Sequence, residues 1–189
     1  MAAIGSYVVV CGLAAVACTA GCVDPCQGPG SAIDSDLIAA SIDHFVTPDS
    51  SAIVVYDYFA GPEMEHVLAS NPELLDVRPA TIASLMNRGR DPAEVDPFAV
   101  QGKAGVEHYF VDVDELRTAF DPDPQWDAFL DRHPGAGAAF RFSRAGVDCD
   151  QAIIYVEETT GPGGFSGYFG VFTMDEESWT GVFTQMWLT

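Results

Sequence analysis

The stretch "QAIIYVEETTGPGGFSGYFGVFTM", residues 151–174, decides how the chain is read. Both of its halves alternate: Ala152, Ile154 and Val156 share one side of an extended chain, and the run from Gly167 to Met174 has the same period. Between them, Gly161, Gly163, Gly164 and Gly167 form a connection that three kinds of chemistry use. A phosphate cradle of the G-x-x-x-x-G-K-[ST] type needs a lysine and a following helix whose free amides face the anion. Here there is no lysine, and a strand follows. A nucleophile turn needs G-x-S-x-G leading into a helix, whereas "GFSGY" has Tyr168 at the place of the second glycine. The remaining reading is a hairpin connection with Ser166 on its surface. In it, Gly161, Gly163 and Gly164 supply positive φ, and the segment up to Gly167 shapes the sheet and rims a binding surface without performing chemistry.

Working outward, "AAFRFSRAGV" precedes this hairpin and "SWTGVFTQMWLT" follows it, with Trp179, Gly181, Phe183 and Trp187 keeping the alternation. Four such runs separated by short turns predict a four-stranded antiparallel meander with helices packed on one face, an α+β fold. Upstream, "SDLIAASIDHF" sets Leu37, Ile38, Ile42 and Phe45 on one helical side, and "SAIVVYDYFAG" is a β-branched and aromatic strand. "RPATIASLMNRG" starts a helix at Pro79 and stops it at Gly89. Then come a short strand in "EHYFVDV", a helix capped by Asp112 or Asp114, and a helix in "DPQWDAFLDRHPG" with Trp126, Phe129 and Leu130 inward.

The 189 residues hold 28 acidic and 8 basic side chains, a net charge of −20 that repels nucleic acid. Solubility is the plain meaning of this excess, with scattered cation binding as the alternative. His44, His66, His108 and His133 show no metal-ligand spacing, and the carboxylate pairs in "DVDE" and "DCD" do not continue into a calcium loop. No metal or cofactor is expected.

The first residues give an address. "YVVVCGLAAVA", Tyr7 to Ala17, is too short to cross a bilayer at roughly twenty residues per span but suits the apolar region of a secretory signal. The "TAGC" after it, residues 19–22, resembles the lipobox of bacterial lipoproteins, which implies cleavage before Cys22 and a lipid on its thiol. Residues 1–21 are then a signal peptide, 22–33 a tether rich in Gly and Pro, and 34–189 a single domain. Cys11 and Cys18 leave with the signal and Cys22 is acylated, so Cys26 and Cys149 are the candidate disulfide in an oxidising compartment, with two free thiols or a redox role as the alternatives.

Towards the C-terminus, Ser143, Arg144, Gly146, Gln151, Ala152, Tyr155, Val156, Gly161, Gly167, Tyr168, Trp179 and Trp187 together resemble the signature of a family of uncharacterised bacterial secreted proteins and lipoproteins. The resemblance implies a compact α+β envelope protein without assigned catalytic residues. Two classes of function remain: a non-enzymatic envelope lipoprotein that binds a protein partner or a small ligand, and a small hydrolase with a site near Ser143 and Arg144. Arg144, in so acidic a chain, is expected to form a buried or half-buried ion pair next to Ser143. The binding class is the one carried forward, with membrane attachment through Cys22.

Overall fold

The computed structural model of the chain describes residues 30–46, 51–56, 76–89, 106–120, 125–175 and 178–188. Strand β1, Ala52–Tyr56, holds Ala52, Ile53, Val54 and Val55 at 3% exposure or less. A strand that is apolar on both sides needs cover on both faces, as interior parallel strands have. β1 lies between β2, Glu107–Val111, and β3, Ala136–Phe142, and runs parallel to both. β3 pairs antiparallel with β5, Gln151–Gly161, and β5 with β6, Gly164–Asp175. β6 in turn pairs antiparallel with β7, Ser178–Leu188. A three-residue strand β4, Gly146–Asp148, also joins β5. The result is a seven-stranded mixed sheet in the order β2-β1-β3-β5-β6-β7 with β4 beside β5.

The α+β class stands, but the four-stranded antiparallel meander is corrected. The hairpins of β5, β6 and β7 occupy one side of a larger sheet whose other side is parallel. The helices are corrected too, because they cover both faces. Helix α1, Gly30–Phe45, lays Leu37, Ile38 and Ile42 against Ile53, Val55, Phe140, Phe142, Ile154 and Val156. Alternation sends the intervening residues to the opposite face. There, helix α2, Pro79–Arg88, packs Leu85 on Ile153, Tyr155 and Phe169. Further along the same face, Ala119 of helix α3, Val113–Phe120, and Trp126 and Phe129 of helix α4, Trp126–Arg132, meet Val54, Val111 and Ala139. α3 starts where Asp112 accepts the Glu115 amide at 2.7 Å, a side-chain N-cap. Among the described residues no helix is long and apolar enough to cross a membrane, and the run Tyr7–Ala17 lies outside them.

Two local irregularities shape the sheet. From Phe142, opposite Val156, to Gly146, opposite Ile153, three residues face two, so Ser143, Arg144 and Ala145 form a bulge between β3 and β4. The glycine connection is a tight hairpin in which Gly161 pairs with Gly164 across Pro162 and Gly163. Gly161 at φ +149° and Gly163 at φ +78° take the positive values expected of them. Gly164 does not, which corrects the reading of that residue; a Cβ there would lie 2.5 Å from the Thr160 hydroxyl. Ser166, read as a surface residue, is 6% exposed, which corrects that reading too.

Helix α2 comes close to the sheet at Gly146. A Cβ on this residue would lie 2.5 Å from the Leu85 amide nitrogen and from the Thr81 carbonyl oxygen, backbone atoms that cannot step aside. Gly146→Ala should therefore cost about 1–3 kcal/mol in urea unfolding, the usual penalty of overpacking. Gly137→Ala, with nothing within 4 Å of the new methyl, serves as the control and should be as stable as the wild type or slightly more so. Equal stability of both variants would refute the close packing of α2 on β4.

Candidate functional site

The bulge brings together the pair singled out in the sequence. Ser143 is fully buried and its hydroxyl is tied to the backbone: it donates to the Arg144 carbonyl at 2.9 Å and accepts the Tyr155 amide at 2.9 Å. Arg144 reaches the Asp34 carboxylate of α1, Nε to Oδ2 at 3.4 Å. Arg88, from the last turn of α2, meets the same oxygen at 2.8 Å, and its guanidinium also donates to the Ala145 carbonyl. The other oxygen of Asp34 accepts the Ala145 amide at 2.7 Å. The Asp34 side chain is 5% exposed and the two arginines about a fifth exposed. Burial pushes the Asp34 carboxyl up from its ordinary range, opposed by the Ala145 amide and the two guanidinium charges. This group closes the bulge and ties α1, α2 and the sheet together. It is a structural node.

The other residues picked out in the sequence are dispersed. His44 stacks on Phe183 with ring centroids 4.3 Å apart, and His133 is buried with Nδ1 2.9 Å from the Phe129 carbonyl. His108 sits on β2, where burial lowers its pKa against the pull of Asp43. Among the described residues no three His, Cys, Asp or Glu side chains gather as metal ligands, and His66 lies outside them. Asp148 and Asp150 hold Arg78, at 3.4 and 2.6 Å, which fastens the start of α2 to the turn between β4 and β5. Cys149 stands in that turn at φ 55° and is disulfide-bonded. The four remaining cysteines, Cys11, Cys18, Cys22 and Cys26, fall outside the described residues.

Among the described residues, two hollows are candidate ligand sites. The larger, a groove of about 450 Å³ on the α2 face of β6 and β7, is lined by Val171, Thr173, Thr180, Val182 and Thr184 with Gln151 at one end. Its end is already committed: Gln151 accepts from the Arg78 amide at 2.8 Å and the Thr81 hydroxyl at 3.1 Å, and donates to the Asp76 carbonyl at 3.3 Å. The smaller, a pocket of about 210 Å³, opens at the base of the glycine hairpin between the end of α1 and strands β1, β3 and β5. Phe45, Val46, Ile53 and Phe140 form its apolar wall, and Glu158 and Thr160 supply its polar groups. The Tyr168 hydroxyl donates to Glu158 at 3.0 Å, and Ser166 bonds to that hydroxyl in turn. Burial raises the Tyr168 pKa, helped by the neighbouring Glu158 charge, so the phenol keeps the proton it donates.

Charge separates these hollows where size does not. The described arginines, at 78, 88, 117, 132, 141 and 144, each face a carboxylate. Glu157, next to Glu158 in the chain, is held by Arg141 on the opposite face of the sheet. Glu158 has no such cation among the described residues; the Tyr168 hydroxyl is its polar contact. Among the described residues, the smaller pocket is thus the one that sets a carboxylate without a facing cation in apolar surroundings. Sequence reading missed both Asp34 and Glu158, although Glu158 carried a signal: it continues the inward series Ala152, Ile154, Val156, where a carboxylate is out of pattern. Comparison with known proteins finds no matching family model, no similar curated protein and no similar solved structure.

The node at Asp34 yields a stability prediction. Asp34→Asn leaves two half-buried guanidinium groups without their anion and should cost about 3–5 kcal/mol, while Ser143→Ala, which strips the Tyr155 amide of its acceptor, should cost about 1–3 kcal/mol. Urea midpoints equal to the wild type for both variants would show that the bulge holds without them.

Proposed function

We propose that the chain is a secreted, lipid-anchored protein of the bacterial cell envelope, of the kind its C-terminal signature resembles, and that it acts by binding a small ligand rather than by catalysis. The observation that carries the binding reading is the pocket at the hairpin base, lined by Phe45, Phe140 and Glu158, with no cation facing Glu158 among the described residues. A hollow with apolar walls and one placed polar group is the usual form of a small-ligand site. The alternative, a hydrolase at Ser143 and Arg144, has little in its favour. A nucleophile needs a hydroxyl within reach of both base and substrate, and Ser143 is closed off with its hydrogen bonds spent on the backbone. A fluorophosphonate probe for reactive serines should leave the protein unlabelled, and labelling lost in Ser143→Ala would overturn this choice.

The address rests on the first residues and on Cys149. A disulfide persists in an oxidising compartment, which agrees with export. With Cys11 and Cys18 removed and Cys22 acylated, Cys26 is the partner proposed for Cys149. Fatty-acid labelling of cells should mark the wild type and not Cys22→Ala, and peptide mapping without reductant should recover Cys26 joined to Cys149. Equal labelling of the two proteins would remove the anchor. A peptide joining Cys149 to Cys11 or Cys18 would remove the cleavage as well.

A further inference from the structure

We propose that the pocket at the base of the glycine hairpin takes a small organic cation, a primary or methylated alkylammonium ion. This rests on the reading that the pocket is the ligand site, and adds the chemical class. Among the described residues Glu158 is the one acidic group lining the pocket and no counter-cation faces it, while the Tyr168 hydroxyl fixes one of its oxygens at 3.0 Å and leaves the other to a ligand. A carboxylate so placed selects for positive charge. The walls select for the rest of the molecule. Phe45 and Phe140, with ring centroids 5.5 Å apart, offer aromatic faces of the kind that attract ammonium groups, and Val46 and Ile53 meet an alkyl stem.

The available space bounds the size. A hollow of about 210 Å³ suits a small group such as a short alkylammonium better than a whole nucleotide or oligosaccharide. An inorganic divalent ion is a poor fit, since calcium takes about six to eight oxygen ligands and, among the described residues, the side chains lining the wall offer oxygens from Glu158 and Thr160 alone. The net charge of −20 acts in the same direction over longer range, raising the concentration of cations around the molecule.

The experiment is calorimetric titration of the purified chain with ethyl- to hexylammonium and tetramethylammonium chlorides, with the matching primary alcohols as neutral controls. The expected result is saturable one-to-one binding of at least one ammonium, weaker binding of its alcohol, and a loss of about tenfold or more in Glu158→Gln. Glutamine still accepts the Tyr168 hydroxyl, so this variant should keep its melting temperature, which is measured alongside. Ammonium binding unchanged by Glu158→Gln would place the cation elsewhere on the acidic surface and overturn the proposal. Alcohols binding as tightly as ammonium ions would overturn the ligand class while leaving the pocket as a binding site. Binding of neither would end both.

Discussion

Asp34 is the constraint on which the other parts depend. A β-bulge leaves backbone groups without their ladder partners, and buried amides need acceptors. Here the acceptor comes from another element: one oxygen of Asp34 takes the Ala145 amide, and the second is shared by Arg88 and Arg144. Such a group stabilises only when complete, because its desolvation cost is met by all partners together. α1 and α2 lie on opposite faces of the sheet, yet Arg88 and Asp34 meet beside the bulge. The bulge is thus also the passage through which the two helical layers touch. Ser143 completes it from within by holding the Tyr155 amide and the Arg144 carbonyl.

The pocket follows from the same face of the sheet. α1 covers β1, β3 and β5 with Leu37, Ile38 and Ile42 and ends at Phe45 and Val46, short of the hairpin tip. Where its cover runs out, the inward-facing residues of β5 change from Val156 to Glu158 and Thr160. β6 answers with Tyr168 and Ser166 in place of aliphatic side chains. A polar quartet therefore occupies a core position at the edge of the core. On the other face, the corresponding polar residues near α2 are satisfied by one another, as Gln151 and Arg78 show.

Much of the local structure was legible from the residues. The period-2 runs became β5, β6 and β7, Pro79 opened α2, Asp112 capped α3, and Gly161 and Gly163 took the backbone values that a tight hairpin demands. What was not legible is long-range. "AIVVY" is apolar without alternation, which tells that it is buried on both sides but not that its neighbours come from residues 107 and 136 onward in parallel. From that omission followed the two errors of architecture, a sheet too narrow and helices on one face only. The site shows the same division. Arg144 announces a need for an anion in its neighbourhood, but the anion is 110 residues away at Asp34, and no spacing rule connects them. Gly164 was misread because a glycine can be required by a neighbour's side chain, here Thr160, as well as by its own φ.

The disposition of α2 has a mechanical consequence. Its start is held by Arg78 to the turn that carries the disulfide at Cys149, and its last turn is held by Arg88 to the first turns of α1, where the chain enters the domain. Every other cysteine lies within residues 1–29, so a tension transmitted along that segment arrives at two points, the head of α1 and the Cys149 turn. Both points bear on α2 through guanidinium groups ten residues apart, and Gly146 lets the helix sit directly on the sheet beneath them. One helix serves as the abutment for both lines of force.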